Sequence, residues 1–462
     1  MLKEIEVIGL YGAFDHPIVL KDENINLILG ENGLGKTLIL KMINAFFCKD
    51  FLEIYSFHFQ KFILTFDDGI KIVVEKSENS DQEALVITKL PESKKTKKEV
   101  YNIPIFIRQR RSRYRDRDRD NKYYDFQEDI HYMIRHYLPF PVERIAPDRW
   151  LDLKNDITLT GRELLQIHRE YFPKDLINKI ENSTFFENGF PEWLSSKTES
   201  LTSIFIETQR LLIKSDEEKY RSSIIKYSLE LAEIIRNKTV IATDLGSRLD
   251  KSYPNRVIKQ ITQRRQITDT AISEGLERLN EKRALLNKVG LLDTNEEEDL
   301  DPSSYLSGTK QSGNKDLLRD VLQVYIDDSN QKLIVYDDLA LKLELLINII
   351  NKRFLHKKMS IDKKEGFVFQ SMKTNKPIPL SGLSSGEQHE LVLFYQLLFN
   401  TKPNSLLLID EPEISLHVTW QNHFIEDLRE VIKLNKFSAI IATHSPDIIN
   451  NNWNLTIELE GA

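Results

Sequence analysis

At 462 residues the chain exceeds what one hydrophobic core organises, so roughly three structural units of about 150 residues are expected. Its composition, 40% hydrophobic and 29% charged with a formal charge of −7, fits a globular protein and speaks against a surface that coats nucleic acid, which needs clustered Lys and Arg. One cysteine, Cys48, excludes an intrachain disulfide and a cysteine zinc site, and no run approaches the ~18 apolar residues of a membrane span; with no signal-peptide layout either, the expected compartment is cytoplasmic and no membrane partner is expected.

The two ends read as α/β and the middle as helical. Ile5–Ile8 and Ile25–Leu29 are short apolar runs that predict strands; the second stops at Gly30, and a helical pattern follows from Lys36 to Phe47. Stretches 61–66, 70–75 and 84–89 predict a small antiparallel sheet. In the middle, Ile224, Tyr227, Leu231 and Ile234, then Ile272, Leu276 and Leu279, form stripes at helical spacing. They predict long paired helices with a break around Tyr253-Pro254-Asn255, either a plain helical subdomain or a coiled-coil arm. A helix is expected from His389 to Phe399. Leu406–Ile409 and Ala439–Ala442 are apolar throughout, as in strands buried on both faces, and the helical stretch 417–433 between them fits a βαβ unit. The expected division is an N-terminal lobe over 1–100, a helical insertion over 101–330 and a C-terminal lobe over 331–462.

Gly30-Glu31-Asn32-Gly33-Leu34-Gly35-Lys36-Thr37 fits G-x-x-x-x-G-K-[ST], with Leu38 continuing into the helix. Its glycines permit positive φ and close backbone approach, so successive N–H groups can cradle phosphate oxygens at a positive helix end. A strand before it and a helix after it give the motif its setting. Lys36 is expected to reach the β- and γ-phosphates of ATP, and the Thr37 hydroxyl to ligate Mg²⁺.

Two further constellations belong with this loop. Asp410 and Glu411 follow the strand ending at Ile409, at the strand tip where α/β sheets bind ligands. Asp410 is expected to hold the Mg²⁺ hydration shell, and Glu411 to polarise the attacking water. His444 follows the strand 439–442 and can donate to the γ-phosphate if the two strands are neighbours. Separately, Leu383-Ser384-Ser385-Gly386-Glu387-Gln388 is a small-residue loop opening a helix, a second anion-binding device that needs a different phosphate or a different chain.

With these motifs the sequence resembles the ABC-type ATPase superfamily, in its SMC, RecF and OLD-like branch, over about residues 1–90 and 335–458. The resemblance implies an α/β ATPase head, a mixed sheet carrying the phosphate loop beside an antiparallel subsheet, with a long, partly coiled-coil helical insertion. It implies that the signature loop, Leu-Ser-Gly-Gly-Gln in that superfamily, contacts ATP bound to a second copy. Here Ser385 and Glu387 replace its first Gly and its Gln, leaving Ser384 and Gly386 for the contact in trans. Gln209, after an apolar run, is either the glutamine that senses Mg²⁺ in such heads or a surface residue.

Gly386–Leu391 with Leu408–His417, and more weakly Phe205–Leu211 and Leu249–Arg256, are similar to the PtuA-type ATPase subunits of Septu and retron antiphage systems. That likeness implies a head-to-head dimer or larger oligomer holding a separate nuclease subunit, of HNH type in Septu. A nuclease site in this chain itself is not expected, because no second cluster of acids or histidines is found and 18 residues after His444 are too few for another domain. The expected reaction is ATP hydrolysis to ADP and phosphate, slow turnover included. Rival readings are a repair ATPase acting directly on DNA and a scaffold that binds nucleotide without hydrolysing it. The arginines from Arg108 to Arg119 read either as a nucleic-acid contact or as a loop neutralised by Asp116, Asp118 and Asp120, and Trp150 reads as a core anchor of the insertion rather than a base-stacking platform.

Overall fold

The computed structural model describes residues 2–77, 84–91, 98–104, 142–146, 149–152, 157–160, 190–206, 212–214, 220–263, 267–292 and 312–461, with residues 138, 164 and 171. From the N-terminus come β1 (Leu2–Leu10), β2 (Phe14–Val19), β3 (Ile25–Leu29), α1 (Lys36–Phe47), α2 (Phe51–Ser56), β4 (Lys61–Phe66), β5 (Lys71–Lys76), β6 (Ala84–Leu90) and β7 (Glu99–Pro104). β8 (Val142–Ala146), β9 (Arg149–Asp152), β10 (Ile157–Thr160), α3 (Glu192–Glu199), β11 (Thr202–Ile206), β12 (Leu212–Lys214) and β13 (Tyr220–Ser222) follow. The helical stretch holds α4 (Ser223–Gln263), α5 (Asp269–Lys288), α6 (Ser312–Leu333) and α7 (Asp337–Arg353). Then come β14 (Lys357–Asp362), β15 (Gly366–Ser371), β16 (Pro377–Ile378), α8 (Ser385–Tyr395), β17 (Ser405–Asp410), α9 (Val418–Gln421), α10 (Phe424–Asn435), β18 (Ser438–Thr443), α11 (Pro446–Ile449) and β19 (Thr456–Glu458).

The chain divides into two compact units. The first joins Met1–Thr208, Lys402–Pro412 and Lys436–Ala462; the second joins Gln209–Thr401 and Glu413–Asn435.

The first unit carries a five-stranded sheet in the order β11-β17-β18-β3-β19, all of whose pairings are parallel. Every residue of β17 is buried, which is why this strand reads as a continuous apolar run rather than an alternating one. A six-stranded sheet, β2-β1-β4-β5-β6-β7, is antiparallel throughout and shows alternation instead, as in β4. The expected strands at 61–66, 70–75 and 84–89 are its β4, β5 and β6. One core cluster unites the two sheets through α1: Ile39, Leu40, Met42, Ile43 and Phe46 are fully buried together with Ile5, Phe62 and Leu64 of one sheet and Leu408 and Ala442 of the other. Each such side chain contributes about 1.5–3 kcal/mol on burial. Trp150 of β9 is buried, as a core anchor should be.

In the second unit α4 runs unbroken for 41 residues with Pro254 inside it, so the expected break does not occur. A proline removes one backbone donor and crowds the preceding turn. Here Ser252 Oγ and Arg256 Nη2 donate to the neighbouring Leu249 carbonyl at 3.1 and 2.6 Å. Arg256 also pairs with buried Asp328 of α6, its Nη2 lying 2.7 Å from Oδ2. With Lys332–Asp250 and Gln260–Asp320, this pins α4 antiparallel to α6 across the proline. Ile224, Tyr227 and Leu231 are buried as expected, but the stripe continues at Ile235, not Ile234. Ile272, Leu276 and Leu279 pack on Leu322 and Ile326. At the base of α4, Ser228 Oγ donates to the Glu365 carbonyl at 2.7 Å and accepts from the Phe367 N–H at 2.8 Å.

α8 starts at Ser385, earlier than expected, and ends in a π-helical turn over Gln396–Asn400. Its Glu390 is 1% exposed, with Arg353 Nε 4.0 Å from Oε1 and no partner for Oε2 among the described residues. Burial pushes its carboxyl up to about 8, against the lowering influence of Arg353 and with Asp427 and Glu387 adding to the rise. The folded chain therefore keeps a proton that the unfolded chain loses near 4.5, and stability falls as pH rises from about 4.5 to about 8. Glu390→Gln is expected to leave the calorimetric unfolding midpoint near wild type at about pH 5 and to raise it relative to wild type at about pH 9.

Candidate nucleotide-binding site

β3 delivers the chain at Leu29 into the loop Gly30–Gly35, and α1 begins at Lys36. Gly33 and Gly35 have φ of 90° and 85°, the left-handed region that an L side chain enters only with strain. They differ in space: a Cβ at Gly33 meets nothing within 4 Å, whereas one at Gly35 collides with Leu10 Cδ2 of β1. Gly35 caps α1 without a side-chain hydrogen bond, so the first helical N–H groups face the loop interior. Lys36 is buried, and its Nζ donates to the carbonyls of Gly30 at 2.7 Å and Glu31 at 2.9 Å, which holds the ammonium inside the loop's curve.

The strand order brings the other residues to this loop. β18 lies between β3 and β17, and all three run parallel, so the residues after Leu29, Thr443 and Ile409 share one edge of the sheet. Thr37 Oγ1 lies 2.9 and 3.0 Å from the two carboxylate oxygens of Asp410, the buried last residue of β17. Glu411 takes a left-handed backbone, φ 41°, with its N–H donated to the Ala442 carbonyl at 2.9 Å. His444 Nδ1 lies 3.8 Å from Glu411 Oε1. Lys36, Thr37, Asp410, Glu411 and His444 are thus gathered in one unit. Such a set can hold a polyphosphate on backbone N–H groups and an ammonium, a divalent cation on hydroxyl and carboxylate, and a water beside a second carboxylate. No group of three or more His, Cys, Asp or Glu able to hold a metal occurs among the described residues.

Two residues here were not read from the sequence. Tyr11, in the turn between β1 and β2, is 54% exposed, with Cε2 3.5 Å from where a Gly35 Cβ would stand. His16 of β2 is buried, with Nε2 2.8 Å from the Leu34 carbonyl. Neither carries a local signal, because the hairpin reaches the loop only through the fold. Gln209, Arg108–Arg119 and residues 207–211 lie outside the described residues.

The loop read from the sequence as a signature, residues 383–388, lies in the second unit. Ser384 is the N-cap of α8, and its hydroxyl accepts the Glu387 N–H at 3.3 Å. The Glu387 carboxylate accepts the Ser384 N–H at 2.7 Å and binds Lys357 Nζ at 2.6 and 2.9 Å. This capping box was legible as Ser-x-x-Glu. Ser385 and Gly386 form the first turn, and Gln388 Nε2 donates to the Leu383 carbonyl at 2.9 Å.

The two glycines give a paired test. Gly33→Ala meets only backbone strain, costing about 1–3 kcal/mol, whereas Gly35→Ala adds the collision with Leu10. The expected outcome by chemical denaturation is a clearly larger loss of stability for Gly35→Ala.

Among solved structures the chain is similar to the Smc head domain with an extended coiled coil, bound to the C-terminal domain of ScpA, from Pyrococcus furiosus: 12% identity, 97% of this chain and 91% of that one covered, TM-score 0.35. It is also similar to the SMC head domain from Thermotoga maritima, at 12% identity, 97% and 90% coverage and a TM-score of 0.29. No curated protein matches the sequence. No helix among the described residues is long and apolar enough to cross a membrane. The family model described as an AAA ATPase domain matches residues 1–449, a span that includes the loop Gly30–Thr37, Asp410, Glu411 and His444, and the chain belongs to that ATPase family.

Proposed function

We propose that the chain binds ATP with Mg²⁺ at the tips of β3, β17 and β18 and hydrolyses it there. The observation that carries this reading is the Thr37 hydroxyl set against the Asp410 carboxylate at 2.9 and 3.0 Å, next to a loop whose lysine is turned inward. A hydroxyl, one carboxylate and phosphate oxygens are the ligand set Mg²⁺ ordinarily takes in such sites, so the residues fit the ion. Bound there, Mg²⁺ neutralises charge on the phosphate oxygens. Lys36 exchanges the Gly30 and Glu31 carbonyls for β- and γ-phosphate oxygens, and the N–H groups of Gly33 to Leu38 cradle the rest. Glu411 orients the attacking water, His444 donates toward the γ-phosphate, and Tyr11 offers a ring face to the base. Gln209 is kept as a further Mg²⁺-sensing residue.

Ser384, Ser385 and Gly386 of a second copy are proposed to close over this ATP, with Glu387 holding that loop in shape rather than touching phosphate. The resulting head-to-head dimer, or a larger oligomer, is proposed to hold and control a separate nuclease subunit, of HNH type, in antiphage defence. That role is supported by the likeness of Gly386–Leu391 and Leu408–His417 to the ATPases of such systems.

Two substitutions separate binding from turnover. Lys36→Ala is expected to weaken ATP binding, read by calorimetry, by at least about tenfold. Glu411→Gln is expected to keep ATP binding while lowering turnover by about 10²–10³-fold, the size of a lost general-base contribution. Native mass of the co-expressed neighbouring proteins, with and without ATP, tests the assembly: a nucleotide-dependent complex of several ATPase copies with a nuclease is expected. A lone dimer whose turnover rises on DNA would overturn the defence reading.

A further inference from the structure

We infer that His16 is a positioning residue for nucleotide: it holds the Leu34 carbonyl inward and thereby aims the Gly35 N–H into the phosphate cradle. The inference rests on the nucleotide-binding reading of the loop.

His16 sits on β2 opposite Val7 of β1, 18 residues before Leu34, and is 1% exposed. Its Nε2 lies 2.8 Å from the Leu34 oxygen. A carbonyl only accepts, so Nε2 carries the hydrogen. Burial lowers the imidazole pKa below its ordinary 6.5 and keeps the ring neutral, with that single N–H spent on the loop. Phe14 lies against the ring at 5.8 Å between centroids and 11° between planes, which fixes the direction of the bond.

What the contact does follows from the peptide group. The peptide linking Leu34 to Gly35 turns about ψ of Leu34 and φ of Gly35, and Gly35, in the left-handed region, has no Cβ to oppose that turn. A peptide is planar and trans, with no cis bond among the described residues, so its C=O and N–H point in opposite directions. Fixing the oxygen on His16 therefore fixes the Gly35 N–H on the opposite side. Gly35 is the N-cap of α1, and its own carbonyl accepts the Ile39 N–H at 2.9 Å, so this peptide is the joint between loop and helix. Without His16 the loop keeps its glycines and its lysine but loses the orientation of one donor. In that state binding ATP must first pay to restore the orientation.

The test compares His16→Gln with His16→Met, two side chains of similar length of which only Gln ends in an N–H donor. ATP affinity is measured by calorimetry on the full chain, beside the thermal midpoint without nucleotide. The expected result is a His16→Gln affinity within about threefold of wild type, and a His16→Met affinity at least about tenfold weaker, the worth of one hydrogen bond to a charged group. The KM for ATP should rise far more than kcat falls, which a loss of global stability would not produce. Equal ATP affinities for the two variants would overturn the inference. Should His16→Met not fold, Phe14→Leu takes its place: a lower affinity supports the inference and wild-type affinity overturns it. Failure of wild type itself to bind ATP would instead sink the nucleotide-binding reading, an outcome told apart by the wild-type control.

Discussion

Thr37 and Asp410 are 373 residues apart, yet one hydroxyl and one carboxylate meet within 3.0 Å. Their meeting depends on the parallel sheet, in which β18 separates β3 from β17 and brings all three C-terminal ends to the same edge. The hydrogen bond does not build that sheet. A bond to a charged group is worth about 1.5–3 kcal/mol, no more than one of the Leu or Ile side chains buried along β17. Packing therefore dictates where the carboxylate stands, and the polar contact records it. Without this strand order, the loop would keep its glycines and its inward lysine but would have no carboxylate beside it.

Around this frame the site contains backbone that is costly in itself. Gly33 and Gly35 take left-handed conformations cheaply, but Glu411 does not, and a non-glycine residue there costs about 1–3 kcal/mol unless its surroundings dictate it. The surroundings do so here: the Glu411 N–H is fastened to the Ala442 carbonyl of β18, which turns the side chain off the end of the ladder beside His444. The hairpin of β1 and β2 supports the other side, with Leu10 filling the space a Cβ at Gly35 would need.

In the second unit, the loop proposed as a signature is held by its own acid. The Glu387 carboxylate accepts the Ser384 N–H and two contacts from Lys357. A neutral amide in its place would forfeit the ion pair. One turn further, Glu390 is buried with its proton retained near Arg353, whose guanidinium pairs with Asp427, so α8 is seated on a polar cluster taken out of water. The Pro254 helix follows the same logic. The Arg256 guanidinium donates to the Leu249 carbonyl beside the proline, and its pairing with buried Asp328 holds the two helices together.

Most of the local elements were legible in the sequence. Apolar runs without alternation marked β3, β17 and β18, alternation marked the antiparallel strands, and the spacing of glycines with Lys36 and Thr37 marked the loop and the start of α1, because these signals are carried by neighbouring residues. The stripe of α4 was misread at one position and its proline taken for a break, since sequence shows the missing N–H but not the contacts to Asp320, Asp328 and Lys332 that tie α4 to α6 on both sides of it. His16 and Tyr11 gave no signal at all. What the sequence by itself determined was the glycine loop with Lys36 and Thr37 between a strand and a helix, and the pair Asp410-Glu411 at a strand end, because each depends on contiguous residues and backbone freedom. Only the tertiary structure decided that β18 lies between β3 and β17, that Asp410 meets Thr37, and that a histidine from a neighbouring hairpin grips the loop from beneath, because each depends on long-range packing that no local pattern encodes.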